Sequence, residues 1–382
     1  CGARDGAMTR TVEAARRRPA GALPALAAIL LALLPVVTPA APPAHADPGT
    51  RAAAPACPAW EAFKSRYVHA DGRVIDTANA GISHSEGQGY ALILAAVHGD
   101  AGTFARVYGW TRRHLMLRPD GLLVWKWSPN TETRYPDTNS ASDGDLLVAH
   151  GLLLAGTRFD TPRYTEAGER LAAAVRAHLI REVGPHTVLL PGPEGFRRPD
   201  GSYVVNLSYW VFPTLELLAA HTGDPAWRRL DESGRALIRT ARFGGWDLPP
   251  DWLLLSAEGE ASLPDPEVFA PVFGYNAMRV PLYLAWANTP ADEDVLDRFR
   301  RFWAAQRNAD GLPLVWDLAA EAPRDRGHNP GVRAIRDLIA RDASPDVEAA
   351  TPPAGGTHYY DAVLALLACL ADKGDSPCGC AA

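Results

Sequence analysis

From Pro58 to the C-terminal region, apolar residues recur at three- and four-residue intervals in eleven separate segments, a repetition that restricts the fold more than any single motif. The segments run 58–69, 87–98, 102–117, 144–156, 163–182, 207–221, 226–242, 275–288, 291–306, 330–341 and 358–371. Alternating βαβ patterns are absent and strongly β-branched runs are few, which counts against a TIM barrel or a doubly wound sheet of this length. The chain is therefore all-α.

The connectors carry a weak internal echo. "RPDGLLVWKW" (118–127), "RPDGSYVVNLSYW" (198–210) and "NADGLPLVWDL" (308–318) each follow a helix and set an Asp-Gly turn before an extended aromatic stretch. Helical hairpins in a folded region of about 325 residues can stack as an open solenoid or close into a toroid of inner and outer helices. Irregular spacing argues against an array, and "LLVAHGLLLAG" is apolar nearly all round, as an inner helix surrounded by others must be. The expectation is an (α/α)6 barrel, a six-hairpin toroid, with aromatic and acidic residues at the N-terminal ends of the inner helices lining a cleft.

Residues 1–46 stand apart from this pattern. Arg10 and Arg16–Arg18, the run "ALPALAAILLALLPVV" and Ala44-His45-Ala46 read as the basic start, apolar middle and small-residue exit of a signal peptide. Pro24 and Pro35 interrupt the run, so stable membrane insertion after processing is not expected. Residues 47–56 read as a flexible leader and 57–382 as a single domain. Removing the five arginines and two acids of residues 1–46 takes the formal net charge from −6 to −9. No basic stripe marks a nucleic-acid partner, and a neutral or cationic partner fits better. An exported chain meets an oxidising compartment, where Cys57, Cys369, Cys378 and Cys380 can form disulfides whose pairing spacing does not define. Cys378-Gly-Cys380 is too tight for zinc and no His pair follows, so neither a metal nor another cofactor is expected.

Two acidic stretches carry candidate chemistry. In "ISHSEGQGYALILAAV" (82–97), Ser83 and Glu86 fit a capping box. Gly87 and Gly89 nevertheless cost roughly 1 kcal/mol each in a first helical turn, so bare backbone there suggests close approach of a substrate. Tyr90 offers an amphipathic face beside them. Desolvation should raise the pKa of Glu86 towards that of a general acid. In "DTNSASDGDLLVAHGLLLAG" (137–156), Asp143 and Asp145 precede an apolar helix amid more polar residues than one cap needs. Trp125 and Trp127 share one face of an extended loop by the period of two, as stacking platforms for sugar rings.

Together these motifs resemble glycoside hydrolase family 8, the cellulase D family, and especially the periplasmic endoglucanases of bacterial cellulose-synthesis systems. The resemblance rests on "PAWEAFKSRYVHADGRVID" (58–76), "SEGQGYAL" (85–92), "NSASDGDLLVAHGLLLAG" (139–156), "LSYWVFP" (207–213), "PPDW" (249–252), "YNAMRVPLYLAW" (275–286) and "YYDAVLALL" (359–367). It implies an (α/α)6 barrel and inverting hydrolysis of a β-1,4-glucan such as cellulose, in the periplasm or outside the cell, beside a cellulose synthase complex; chitosan is the alternative substrate. By the same resemblance Glu86 is the proton donor, Asp143 holds and distorts the sugar, Tyr209 and Arg279 belong to the cleft, and Asp145 is supporting structure.

Inversion needs a second carboxylate, roughly 6.5–9.5 Å from the acid, to activate water. The resemblance puts it at position 276, where this chain has Asn276. An amide cannot accept the proton at neutral pH. Three readings stand: a base from elsewhere, with Asp251 or Asp265 and Glu267 as candidates; Asp143 in the base role; or a weakly active or inactive glucan-binding protein.

Overall fold

The computed structural model describes residues 57–340 and 357–374; the segments expected as signal peptide and leader, and Cys378 and Cys380, lie outside them. Each of the eleven expected segments is a helix: α1 Pro58–Tyr67, α2 Ser85–Val97, α3 Ala101–His114, α4 Ser142–Arg158, α5 Pro162–His178, α6 Phe212–Thr222, α7 Pro225–Thr240, α8 Arg279–Ala287, α9 Glu293–Gln306, α10 Pro330–Ala340 and α11 Tyr359–Lys373. The strands are two to six residues long and form four small sheets of two or three strands, none of them closed. No described helix is long and apolar enough to cross a membrane. Cys369 on α11 is disulfide-bonded.

Sequence pattern separates two classes of helix. The α2 run from Gly87 to Val97 and the α4 run from Ser142 to Leu153 are buried on every side. By contrast α3, α5, α7 and α9 bury one stripe and expose charged residues on the other, as outer helices must. Glycines set the closest inner contact. A Cβ on Gly89 would lie 2.5 Å from Leu147 Cβ, one on Gly144 2.0 Å from Ser85 Oγ, and one on Gly151 2.6 Å from Leu92 Cβ. Gly89 is thus required by helix packing and not, as its sequence context suggested, by an approaching substrate. Gln88, fully buried, ties α2 to its outer neighbours by accepting the Val74 N–H and donating to Thr111 Oγ1.

Two helices begin later than their periodicity predicts. The segment from 207 starts as a 3-10 turn, Leu207–Tyr209, because the Asn206 side chain accepts the Ser208 N–H; α6 proper waits for Phe212. The segment from 275 starts as a turn because Asp251 Oδ1 accepts the N–H groups of Gly274 and Ala277, and α8 begins only at Arg279. In both places a side chain competes for backbone donors that a helix would otherwise have used.

Candidate active site

Six helices, α2, α4, α6, α8, α10 and α11, begin at one end of the barrel, and the residues at their starts line a common cleft of about 1210 Å³. That exceeds the ~300–1,000 Å³ of a small-molecule pocket and suits a segment of polymer. His84 and Glu86 come from the start of α2, Asp143 from α4, Tyr209 from the turn before α6 and Asn276 and Arg279 from α8. His328 and Asn329 precede α10, and His358, Tyr360 and Asp361 belong to the start of α11. Helix N-termini carry partial positive charge, so this ring favours carboxylates at its centre.

Arg279 organises that centre. Its guanidinium is 2% exposed and ion-pairs with Glu86 and, at 3.1 Å, with Asp143. It also donates to Ser208 Oγ at 3.0 Å and Asn276 Oδ1 at 3.1 Å, and lies over the Tyr209 ring. Ser208 is in turn held by donating its hydroxyl to Asn206 Oδ1. Two carboxylates thus converge on one buried cation. Burial, with the neighbouring Glu86 carboxylate, raises the Asp143 pKa to about 7. Burial pulls Glu86 upward too, but the positive charge around it, that of Arg279 first, outweighs burial and holds Glu86 below its ordinary value. The expected upward shift of Glu86 is therefore reversed: of the two acids it is Asp143 that is pushed towards its protonated form.

The two acids occupy corresponding places. Ser85-Glu86-Gly87 opens α2 and Ser142-Asp143-Gly144 opens α4, and the close approach at Gly144 brings these first turns together. The capping box does not form. Ser83 Oγ donates to the Val74 carbonyl instead, and the N-cap of α2 is His84, whose Nδ1 accepts the Gly87 N–H at 3.0 Å. Glu86 is thereby free to face the cleft.

Other expected residues are placed differently. Tyr90 is fully buried beneath Arg279, its hydroxyl 2.5 Å from that of Tyr283 and 3.3 Å from the guanidinium; it offers no face to a ligand. Trp125 lines the cleft, its indole N–H donating to Asp137 at 2.8 Å. Trp127 turns away, edge-on to Trp110 at 5.7 Å, because the strand there spans only Lys126–Trp127 and the period of two does not extend to residue 125. Asp251 is 8% exposed and spends its carboxylate on the Gly274–Ala277 turn rather than on the cleft. Burial raises its pKa. Asp265 and Glu267 are exposed on a loop that does not line the cleft. Asp145 is fully buried, raised by desolvation to about 8, and accepts the Leu123 N–H and the Ser140 hydroxyl, so it supports the wall carrying Trp125. Among the described residues no cluster of His, Cys, Asp or Glu is arranged to hold a metal.

Sequence reasoning missed His84, Ser208, Tyr283 and Asp361. Tyr283 had a usable signal, lying one helical turn after Arg279 on the same face. Asp361 sits in the first turn of α11 and accepts from Asn329 Nδ2 at 2.5 Å. Burial raises its pKa.

The sequence profile of Glycosyl hydrolases family 8 matches residues 49–374. A "Probable endoglucanase" of Novacetimonas hansenii is 38% identical over 329 residues, covering 86% of this chain and 93% of that protein. The "Endoglucanase" of Escherichia coli K12 is 34% identical over 330 residues, 81% of this chain and 85% of that protein. Among solved structures, an endo-β-1,4-glucanase from Acetobacter xylinum superposes with a TM-score of 0.76 at 37% identity, covering 83% of this chain and 97% of that one. A family 8 glycosyl hydrolase, an endoglucanase from Klebsiella pneumoniae, gives 0.76 at 33% identity, covering 82% and 98%. The helical toroid is the architecture these relatives share.

Proposed function

The chain belongs to glycosyl hydrolase family 8 and is a glycoside hydrolase, and from that premise we propose that its cleft cuts internal β-1,4-glucosidic bonds of cellulose or a related glucan with inversion. The observation that carries this reading is the pairing of Glu86 and Asp143 on Arg279 at the centre of an open, aromatic-lined cleft. Trp125 and Tyr209 supply faces for pyranose rings.

In this mechanism Glu86 protonates the leaving glycosidic oxygen. A sugar hydroxyl donating to Asp143 stabilises its charged form, lowers its pKa and passes the shared proton to Glu86 when substrate is seated. Asp143 then holds the distorted ring. Asp143 and Glu86 sit on the same Arg279 nitrogen, too close together for a catalytic water between them, so Asp143 is not the base. We assign that role to Asp361. Of the described carboxylates lining the cleft, Glu86 and Asp143 are tied to Arg279, and Asp76 is bound by His84, Asn79 and the Ala78 N–H. Asp361 has the Asn329 amide as its side-chain partner, and its raised pKa makes it the better proton acceptor. Asn276 orients the water.

Reducing-end release from carboxymethyl cellulose and from chitosan tests the substrate, and turnover of soluble cello-oligosaccharides by Asp361→Asn and Asn276→Asp tests the base. Cleavage of carboxymethyl cellulose, lost in Asp361→Asn, is expected. Cleavage of chitosan alone overturns the glucan reading. An inactive wild type that binds glucan and is activated by Asn276→Asp makes the protein a binding scaffold. The Arg-rich start, apolar run and Ala44-His45-Ala46 of residues 1–46 support export to the periplasm or beyond, where trimming glucan beside a cellulose synthase complex is the role proposed. Cell fractionation checks the compartment.

A further inference from the structure

Histidine is an unusual helix N-cap, a position that favours Ser, Thr, Asp and Asn. Here His84 holds it, two residues before Glu86, while the adjacent Ser83 is engaged elsewhere. The imidazole touches both functions at once. Its Nδ1 accepts the Gly87 N–H at 3.0 Å, fixing the turn from which Glu86 projects, and its Nε2 lies 3.4 Å from Asp76 Oδ2, a carboxylate buried in the cleft wall. His84 itself lines the cleft.

We propose that His84 is a positioning residue for Glu86: as the neutral Nε2–H tautomer it caps α2 and holds the acid on the scissile bond, and on protonation it releases that hold. The inference rests on the reading of Glu86 as the acid. Capping needs a lone pair on Nδ1, and only the neutral ring has one. The charges around it pull the other way. Asp76 from the 68–82 connector, Glu86 on its own helix and Asp143 on α4 favour the cation, and the Tyr359 ring of α11 packs edge-on at 5.8 Å. Lys126 is its cross-strand partner, with its ammonium over the Trp125 ring at 5.3 Å. Burial pulls the His84 pKa down, but together those carboxylates outweigh it and raise the value. Cap and carboxylates therefore compete for the ring's protonation state within the pH range in which histidine titrates. Protonation would turn Nδ1 into a donor facing the Gly87 N–H and place a full positive charge beside Glu86, disfavouring the protonated form that catalysis needs.

The test is kcat and KM on a soluble cello-oligosaccharide from pH 5 to 8.5 for wild type, His84→Asn, His84→Ala and Glu86→Gln. Asn keeps a capping acceptor but does not titrate. In the wild type, kcat should fall several-fold on acidification through the His84 transition. That step should vanish in His84→Asn, and His84→Ala should lose about tenfold in kcat at every pH with KM little changed. A His84→Asn profile superimposing on the wild type overturns the proposal; activity surviving in Glu86→Gln instead overturns the reading of Glu86 beneath it. Nitrogen shifts of the wild-type ring need no variant to fold: Nε2 protonated and Nδ1 bare above the transition supports the cap, and Nδ1 protonated throughout overturns it.

Discussion

The starts of α2 and α3 lie close in sequence and put a carboxylate to opposite uses. At α3, Asp100 is the N-cap: it accepts the Thr103 N–H at 2.9 Å, pairs with Lys64 at 2.7 Å, and these contacts outweigh its burial to lower its pKa to about 2. It is an acid in the service of a helix. At α2 the cap is His84, and Glu86 one turn in is left for the cleft. Both acids sit near a positive helix end, yet only one is spent on it. The difference teaches that a carboxylate at a helix start becomes chemically available when another residue takes over the cap and when the helix belongs to the inner ring.

That contrast can be broken in four places. The largest effect is expected for Glu86→Gln, which should cost about 10³-fold in kcat/KM, the scale of general acid catalysis, with the melting temperature little changed. Asp143→Asn should cost less, about 10²-fold, and alter the pH profile. In the wild type the dyad's shared proton is lost near pH 7, so kcat/KM should fall above that value. Without the Asp143 carboxylate the acid answers to burial and to the positive charge around it, Arg279's first, which holds its pKa down, and the alkaline limb should move to lower pH. A limb that stays in place would mean that the proton is not shared.

Gly144→Ala probes the contact that joins the two first turns. A Cβ there meets Ser85 Oγ at 2.0 Å, and overpacking of this kind costs about 1–3 kcal/mol, readable in a denaturant melt. Activity should fall with it, since Glu86 and Asp143 would be pushed apart. Asp100→Ala is the smallest change, about 1 kcal/mol of stability from a lost cap, with kcat unaltered. Its sign with pH is defined. A carboxyl lowered from 3.8 to about 2 stabilises the fold above roughly pH 4 and loses that contribution as pH falls through 2, so the gap between wild type and variant should close on acidification.

Much of this architecture was legible because helix periodicity is a short-range property. The eleven segments needed only the apolar spacing of each stretch, and the burial of "LLVAHGLLLAG" followed from its having no polar face. Glu86, Asp143, Tyr209 and Arg279 were grouped in advance through resemblance. Asp251, Tyr90 and Trp127 were misjudged for one reason: each is of a type and in a context that suits a ligand, and whether it faces the cleft or the layer behind it depends on packing against distant elements. Asp251 clamps a turn 23 to 26 residues further on. Tyr90 answers to Tyr283, 193 residues away.

The sequence by itself determined that the chain is a closed set of helical hairpins with acids at the starts of its inner helices, since spacing and polarity act within a few residues. Tertiary structure alone decided which acid holds the proton. Arg279 lies 193 residues from Glu86 and 136 from Asp143, and only the closed ring brings its charge between them. That charge outweighs burial for one carboxylate and yields to it for the other.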